Sequence, residues 1–290
     1  MLLLSSMINA YYRLTKPGII RGNVMTAAAG FLFASGRHID AWLLLVTLAG
    51  VALVIASACV INNYIDRDID KKMTRTKERA LVTGTILPVQ AFVFAAFLGL
   101  GGFALLVWQT NALTVWLGII AFVSYVVLYG IAKRRGPYGT LVGSLPGALS
   151  ITAGYTAVSG GFDRQALLIF LVMVAWQMPH FYAIATYRLK EYKAAGLPVL
   201  PAVKGIKRTK KSMLLFMLLF AAAIIALFVF DYTGWTYLVV MGVVAGLWLR
   251  LGLQGFGAKD DVKWAKKVFG FSLLTLLIFS LMISLEAWLP

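Results

Sequence analysis

The chain has 290 residues, of which 61% are hydrophobic and 13% are charged, and its formal net charge is +16 at pH 7. Average soluble domains are about 45–50% apolar and about 25% charged, so this composition excludes an ordinary soluble domain. A bilayer is the solvent that would accommodate the excess apolar surface, and we therefore predict an integral membrane protein.

Nine mostly apolar segments are long enough to cross a bilayer as helices, because a spanning helix needs roughly 20 such residues. In chain order they cover residues 17–36, 41–62, 88–108, 113–132, 138–159, 165–187, 212–230, 236–252 and 268–287. Strong alternation of polar and apolar residues is absent, which disfavours a β-barrel. The predicted fold is all-α: residues 1–290 form one membrane-embedded domain, a bundle of about nine transmembrane helices.

The basic residues are concentrated in every second connection between these segments. If the N-terminus is cytoplasmic, all Lys and Arg residues except Arg37 and Arg164 fall on the cytoplasmic side. Cytoplasmic loops accumulate Lys and Arg, so the pattern predicts an N-terminus inside and a C-terminus outside. This bias and the attraction to anionic lipid headgroups account for most of the positive charge. We therefore expect membrane lipid, and no nucleic acid, as a partner of the basic surface.

Two of the predicted cytoplasmic connections are long, covering residues 63–87 and 188–211. Long loops in compact proteins are usually functional. Each follows the second helix of a set of four, which suggests a weak internal duplication with one site between the halves. The single cysteine, Cys59, lies within a predicted span, so neither a disulfide framework nor a cysteine metal site is expected.

The first long loop opens with an amide and two carboxylates at regular spacing. Asn62, Asp66 and Asp70 lie four residues apart, so a helix would present them on one face, whereas Asp68 would face away. Carboxylate and amide oxygens suit Mg²⁺, which binds through one or two carboxylates plus substrate phosphates. The alternative is a solvated helix end with mixed charge pairs. The position of Asn62 at the membrane edge, where polar residues are costly, favours the metal site.

Basic side chains near this face would hold the oxygens of a bound diphosphate. The candidates are Lys71, Arg75, Lys77 and Arg79 in the same loop, with Lys133, Arg188 and Lys190 from the other cytoplasmic connections. These residues extend the metal prediction to a site for a metal-bound diphosphate.

The second long loop and the span before it contain two further candidates. Glu191 either completes the metal site or pairs with its neighbours Lys190 and Lys193. His180 follows Pro179, which would kink the span. A single histidine in an apolar span is either a packed, hydrogen-bonded residue or a functional group beside a substrate. The sequence leaves both alternatives open.

Six segments of the sequence resemble the UbiA-type intramembrane prenyltransferase superfamily. They are NNYIDRDID at 62–70, MTRT at 73–76, TKPG at 15–18, YGTLVGS at 138–144, WQMPH at 176–180 and GLPVLP at 196–201. The last four match the branch of the superfamily that modifies haem, and WQMPH points to it most directly. The sequence departs from the superfamily pattern at two positions. Glu191 is the one carboxylate in a segment where the superfamily often has two aspartates, and Ala80 stands where many relatives have proline.

The resemblance implies a UbiA-like fold in a bacterial inner membrane, with the active site facing the cytoplasm. It implies farnesyl diphosphate as donor, with its diphosphate on Mg²⁺ held by Asn62, Asp66, Asp70 and Glu191. The implied acceptor is a vinyl group of protoheme IX, bound beside His180. A downstream haem-modifying enzyme or a terminal oxidase is the expected partner.

Three other functions are consistent with parts of the sequence. A related prenyltransferase could use an aromatic acid or a quinone precursor as acceptor. A transporter of anionic lipids would need polar groups near the middle of the membrane, whereas the charges here cluster at one side. A haem-handling assembly factor without catalysis would not need the acidic motif.

Overall fold

A computed structural model describes the backbone of residues 2–289 and the side chains of residues 6–289. The described residues form helices and connecting loops, without strands, which confirms the predicted all-α class. The helices are α1 (Leu2–Leu14), α2 (Pro17–Ser35), α3 (Ala41–Ile65), α4 (Arg67–Asp70), α5 (Ala80–Thr83), α6 (Pro88–Gln109), α7 (Ala112–Val123), α8 (Gly130–Arg135), α9 (Gly139–Ser159), α10 (Arg164–Tyr187), α11 (Leu189–Ala194), α12 (Leu200–Val203), α13 (Gly205–Val229), α14 (Trp235–Gln254) and α15 (Asp261–Leu285). A π-helical segment, Ser124–Tyr129, joins α7 to α8, and two short 3₁₀ turns, Gly255–Gly257 and Glu286–Trp288, follow α14 and α15.

Within the described part of the chain, eight helical segments are long and apolar enough to cross a membrane. They are α3, α6, the continuous segment from α7 to α8, α9, α10, and α13 to α15. The remaining predicted span, 17–36, corresponds to α2, which has 19 residues but contains Arg21 and Asn23. At 1.5 Å per residue, α2 is about 28 Å long, close to the thickness of the hydrocarbon core. The protein is therefore a multi-pass membrane bundle, and α2 is its ninth long helix.

The bundle is organised around a close contact between α2 and α9. A Cβ atom at Gly30 would overlap the backbone carbonyl oxygen of Ile151, and one at Gly154 would overlap that of Ala27. Small residues allow membrane helices to approach to this distance. On one side, α2 and α9 pack against α3 and α7; on the other, they pack against α15 and α10. The α2–α9 contact therefore separates two groups of helices.

Much of the outward surface is apolar. Side chains such as Val93, Phe97, Leu100, Leu218 and Val239 are more than half exposed. Exposed apolar residues in this number are unusual for a soluble protein but suit helices that face lipid. The buried side chains instead pack between helices, for example Trp248, Tyr237 and Phe220 among α13, α14 and α15.

The two long loops meet at one end of the bundle, which we call the basic end. Ile69 and Met73 of the first loop pack against Ala195 of the second. The helices before the loops also resemble each other. Both α3 and α10 begin with an aspartate cap, at Asp40 and Asp163, and both lead into a short helix. This correspondence supports the predicted duplication and the predicted site between the halves.

The number of crossings can be tested with reporter fusions. Fusions after Arg79, Arg135 or Lys211 should report cytoplasm, and a fusion at Gly161 should report the opposite side, because the basic residues divide in this way. A fusion at the C-terminus should also report the opposite side, because nine crossings place the two ends of the chain on different sides. A cytoplasmic C-terminus would mean that the number of spans after Lys211 is wrong, whereas an N-terminal reporter on the side opposite to Arg79 would mean that α2 does not cross the membrane.

Candidate active site

The three polar side chains predicted to share a face do so at the basic end. Asn62 and Asp70 are only 1% and 4% exposed. The helix is interrupted at Asp66, between α3 and α4, yet its four-residue spacing persists. The Asp66 amide donates to the Asn62 carbonyl oxygen at 2.9 Å, and the Asp70 amide donates to that of Asp66 at 2.8 Å. The interruption therefore leaves all three side chains directed into the bundle.

Asp68 points to solvent, as the spacing predicts. Its side chain is 64% exposed, and both carboxylate oxygens accept from Arg134 at 2.8 Å. The hydrogen bond from the Arg134 guanidinium lowers the pKa of Asp68 to about 2. Exposed ion pairs contribute roughly 0–1 kcal/mol, so this pair can hold the loop against α8 only weakly.

Each of the inward polar groups is bound to a cation, from another part of the chain for Asn62 and Asp66 and from the same loop for Asp70. Lys133 donates to Asp66 at 2.5 Å, and Arg79 donates to Asp70 at 2.6 Å. Lys16 donates to the amide oxygen of Asn62 at 2.6 Å. Buried charges are costly unless they are paired and hydrogen-bonded, so these contacts make the buried carboxylates tolerable. They also bring three cations to the place where a diphosphate would bind.

Lys16 was not among the residues that the sequence indicated as site residues. It lies between α1 and α2 in a left-handed conformation with φ of 54°, which is unusual for a residue with a side chain. Burial lowers the pKa of Lys16 to about 8. The sequence signal that could have indicated Lys16 is its position directly before Pro17, the first residue of the first predicted span. Backbone strain of this kind clusters at functional sites.

The basic residues that the sequence did indicate as diphosphate ligands divide into three groups. Lys133, Arg79 and Arg188 are partly buried and ion-paired to Asp66, Asp70 and Glu191, respectively. Arg75 lines the mouth of the cavity described below. Lys71, Lys77 and Lys190 are exposed to solvent. The structure therefore places Lys133 and Arg79 at the acidic face, with Arg75 at the cavity and Arg188 in the facing loop.

The predicted metal ligands are only partly assembled. Among residues 6–289, no three His, Cys, Asp or Glu side chains lie close enough to hold a metal by themselves. Glu191 is in α11, where it accepts from Arg188 at 3.1 Å. Within residues 6–289, one carboxylate oxygen of Asp66 and one of Glu191 are buried and have no hydrogen-bond partner. Two carboxylates and an amide oxygen fit Mg²⁺ whose remaining ligands are substrate phosphates. The four-residue metal site remains a prediction.

A cavity of about 660 Å³ extends into the bundle beside the acidic face, and Lys133, the partner of Asp66, is part of its lining. Tyr125 and Tyr129, from the π-helical segment, line its wall with stacked rings 5.8 Å apart. The Tyr125 hydroxyl lies 3.5 Å from the amide oxygen of Asn62, and the Lys133 ammonium lies 4.9 Å from the Tyr129 ring centre. Single π-helical turns occur often at functional sites. These two tyrosines were missed because nothing in the sequence marks a π-helix.

His180 lines the same cavity from α10, which continues as a helix through Pro179. Its Nδ1 lies 2.8 Å from the Ser272 hydroxyl of α15, and its ring stacks on Trp176 with centres 4.9 Å apart. Phe269 packs near the ring at the same distance. The histidine therefore has both features that the sequence left open: a hydrogen bond across the bundle and a place beside the cavity.

The sequence was compared with families and characterised proteins. The profile of a family described as the UbiA prenyltransferase family matches residues 23–277. A protein of Citrobacter koseri named protoheme IX farnesyltransferase is 48% identical over 285 residues, which cover 98% of this chain and 96% of that protein.

The fold was compared with solved structures. A structure described as digeranylgeranylglyceryl phosphate synthase has a TM-score of 0.80 at 20% identity, and covers 97% of this chain and 98% of that one. A UbiA homologue from Archaeoglobus fulgidus bound to DMAPP and Mg²⁺ has a TM-score of 0.74 at 18% identity, covering 94% and 99%. These two similarities establish the fold of the bundle.

The acidic face can be tested by binding of inorganic diphosphate in the presence of Mg²⁺. Asp66→Asn or Asp70→Asn should weaken binding at least about tenfold, because each removes a buried carboxylate from the proposed metal ligands. Asp68→Asn is the matched control and should change binding less than about fivefold, since its pair with Arg134 is exposed. Titration calorimetry on the purified variants measures both effects. Equal weakening by all three substitutions would contradict the one-face arrangement.

Proposed function

The chain belongs to the UbiA prenyltransferase family, and we propose that it transfers a farnesyl group from farnesyl diphosphate to a vinyl group of protoheme IX, giving haem O. The observation that carries this proposal is 48% identity, over nearly the whole chain, to a protein named protoheme IX farnesyltransferase. The acidic face at the mouth of an apolar cavity supports it, because prenyl transfer needs a diphosphate site next to a dry pocket. An aromatic or quinone acceptor lacks comparable support.

The diphosphate binds at the acidic face, surrounded by cations that the fold has already gathered there. Lys16, Arg79 and Lys133 each contact one of the inward polar groups. Their charges neutralise the leaving group as it departs, and preorganised charges of this kind need no rearrangement during the reaction. Arg75, at the mouth of the cavity, adds a fourth cation.

Asn62, Asp66 and Asp70 are the proposed Mg²⁺ ligands, and Glu191 is proposed as a fourth. The chemistry of these oxygen donors, including the oxygens of Asp66 and Glu191 that accept no hydrogen bond, fits that ion. When bound, Mg²⁺ would supply Lewis-acid stabilisation of the leaving diphosphate. Glu191 would have to exchange its contact with Arg188, which could then bind a phosphate oxygen.

The transfer itself takes place inside the cavity. The bond between C1 of the farnesyl group and the diphosphate oxygen breaks, and the diphosphate keeps the electron pair. The vinyl π electrons form a new carbon–carbon bond to C1, and a water molecule then adds to the resulting cation and loses a proton. The faces of Tyr125 and Tyr129 attract a developing cation near Asn62. The apolar walls keep water away from the first cation.

Protoheme is proposed to lie beside α10 and α15. Trp176, His180 and Phe269 form an aromatic cluster against which a macrocycle can pack. The Ser272 hydroxyl fixes the orientation of the His180 ring through Nδ1. His180 then positions the haem by ring contact or as an iron ligand, which neutral imidazole provides in many haem proteins.

The proposed location is the inner, cytoplasmic membrane of a bacterium, with the acidic face open to the cytoplasm. The distribution of basic residues supports this orientation. A haem-modifying enzyme or a terminal oxidase is the proposed recipient of the product. Transport of an anionic lipid is not supported, because the acidic and basic pairs of the site lie at one end of the bundle rather than midway.

The activity is tested by incubating the purified protein with haem, farnesyl diphosphate and Mg²⁺ and then measuring the mass of the haem. The product should gain one farnesyl group and one hydroxyl, and removal of Mg²⁺ by a chelator should abolish it. Asp66→Asn should lower turnover at least about 100-fold, because a metal contributes several kcal/mol to the transition state. Asp68→Asn should keep at least about a fifth of the activity. A folded protein that leaves haem unmodified would disprove the proposal.

His180 is tested with a pair of substitutions. His180→Ala should raise the Michaelis constant for haem at least about tenfold, with that for farnesyl diphosphate within about twofold, because only the haem contacts the ring in this proposal. Ser272→Ala removes the partner of Nδ1 but keeps the ring, and should have a smaller effect on haem. If both variants lose the same thermal stability and bind haem normally, His180 has a purely structural role.

A further inference from the structure

The cavity divides into two lobes beyond the acidic face. Near their ends at Gly30 and Gly154, α2 and α9 are in backbone contact, whereas Gly22 and Gly143, nearer the basic end, line the cavity. The first lobe lies on the α3 and α7 side of this contact. The second lies on the α10 and α15 side, where His180 is found.

The first lobe begins about one helical turn from Asn62, the first of the proposed metal ligands. Ala58, Val54 and Val51 lie on successive turns of α3 below Asn62, and all three line the cavity. On the other side, the cavity is lined by Trp176 and His180 of α10 and by Phe269, Leu273 and Leu276 of α15. A chain attached to the diphosphate would therefore enter the first lobe and leave the second for the acceptor.

We propose that the first lobe holds the prenyl chain and that Leu106 and Leu117, at its closed end, limit that chain to three isoprene units. This inference rests on the proposed function and adds the residues that determine donor length. Both leucines line the cavity, and they are 1% and 6% exposed.

The length of the lobe matches a farnesyl group. Asn62 and Val51 are about eleven residues apart on one helix, which corresponds to roughly 16 Å. A farnesyl group has a main chain of twelve carbons, and bonds of about 1.5 Å make it roughly 15 Å long when extended. A chain with a fourth isoprene unit would need space beyond Val51.

That space is filled by tightly packed and hydrogen-bonded groups. Leu106 packs closely against α3: a Cβ atom added at Gly50 would lie only 2.7 Å from the Cδ2 atom of Leu106. Beside it, the Thr114 hydroxyl is 3.2 Å from Asn111 Oδ1 and 3.0 Å from the Thr156 hydroxyl. A longer chain would have to displace a leucine or break these buried hydrogen bonds, and both are costly.

The test is a competition between farnesyl and geranylgeranyl diphosphates for haem, with the product ratio measured by mass spectrometry. Leu117→Ala should shift the ratio towards the longer chain at least tenfold, because it extends the closed end. Leu276→Ala is the matched control: Leu276 is also 6% exposed and lines the second lobe. It should leave the ratio within about twofold of wild type and affect haem use instead.

A second substitution tests the same residue in the opposite direction. Leu117→Phe should shorten the lobe and shift a competition between geranyl and farnesyl diphosphates at least fivefold towards geranyl. Unchanged ratios in both Leu117 variants, or an equal shift in Leu276→Ala, would overturn the assignment of the lobes. A wild-type protein that prenylates no haem with either donor would instead overturn the proposed function, so the two failures are distinguishable.

Discussion

Buried carboxylates at one end of an apolar bundle need cations beside them, and much of the site follows from this requirement. Asp66 and Asp70 are held by Lys133 and Arg79, which come from α8 and from the first long loop. Removing one partner of a buried pair typically costs about 3–5 kcal/mol, since the other charge remains uncompensated. The Asp66–Lys133 pair therefore fixes the start of the loop against α8, and the Asp70–Arg79 pair fixes the fold of the loop itself. They also concentrate positive charge where a diphosphate would otherwise be repelled by the carboxylates alone.

The contact between α2 and α9 has a comparable role in the apolar part of the molecule. Gly30 and Gly154 allow the two backbones to touch, and this contact separates the helices into two groups. Because membrane helices gain little from the hydrophobic effect on associating, close packing of small residues is a main source of their stability. The same glycines that hold the bundle together thus divide its cavity. One packing feature thus contributes both to the stability of the bundle and to the proposed separation of the two substrates.

The setting of the site explains why this chemistry suits a membrane protein. A long prenyl chain and a macrocycle both dissolve in the bilayer, whereas the diphosphate is soluble in water. The acidic face lies at the basic end, and the cavity extends between the helices beside it, so both environments are within reach. The aromatic walls at Tyr125, Tyr129 and Trp176 offer faces to cations and to flat rings without introducing mobile water.

The sequence by itself determined the helical class, the membrane setting and the acidic face. Long apolar segments have few alternatives, and a four-residue spacing keeps its face even across the break at Asp66. Helix ends were less predictable: α13 and α15 begin at Gly205 and Asp261, before the predicted 212 and 268, because helices continue past the apolar core into basic turns. The tertiary structure alone decided which cations reach the carboxylates, how the π-helical segment presents its tyrosines, and how α2 and α9 divide the cavity. The contacts of Lys16 and Lys133 with the acidic face, and that between α2 and α9, join residues distant in the chain, and local spacing carries no information about such contacts.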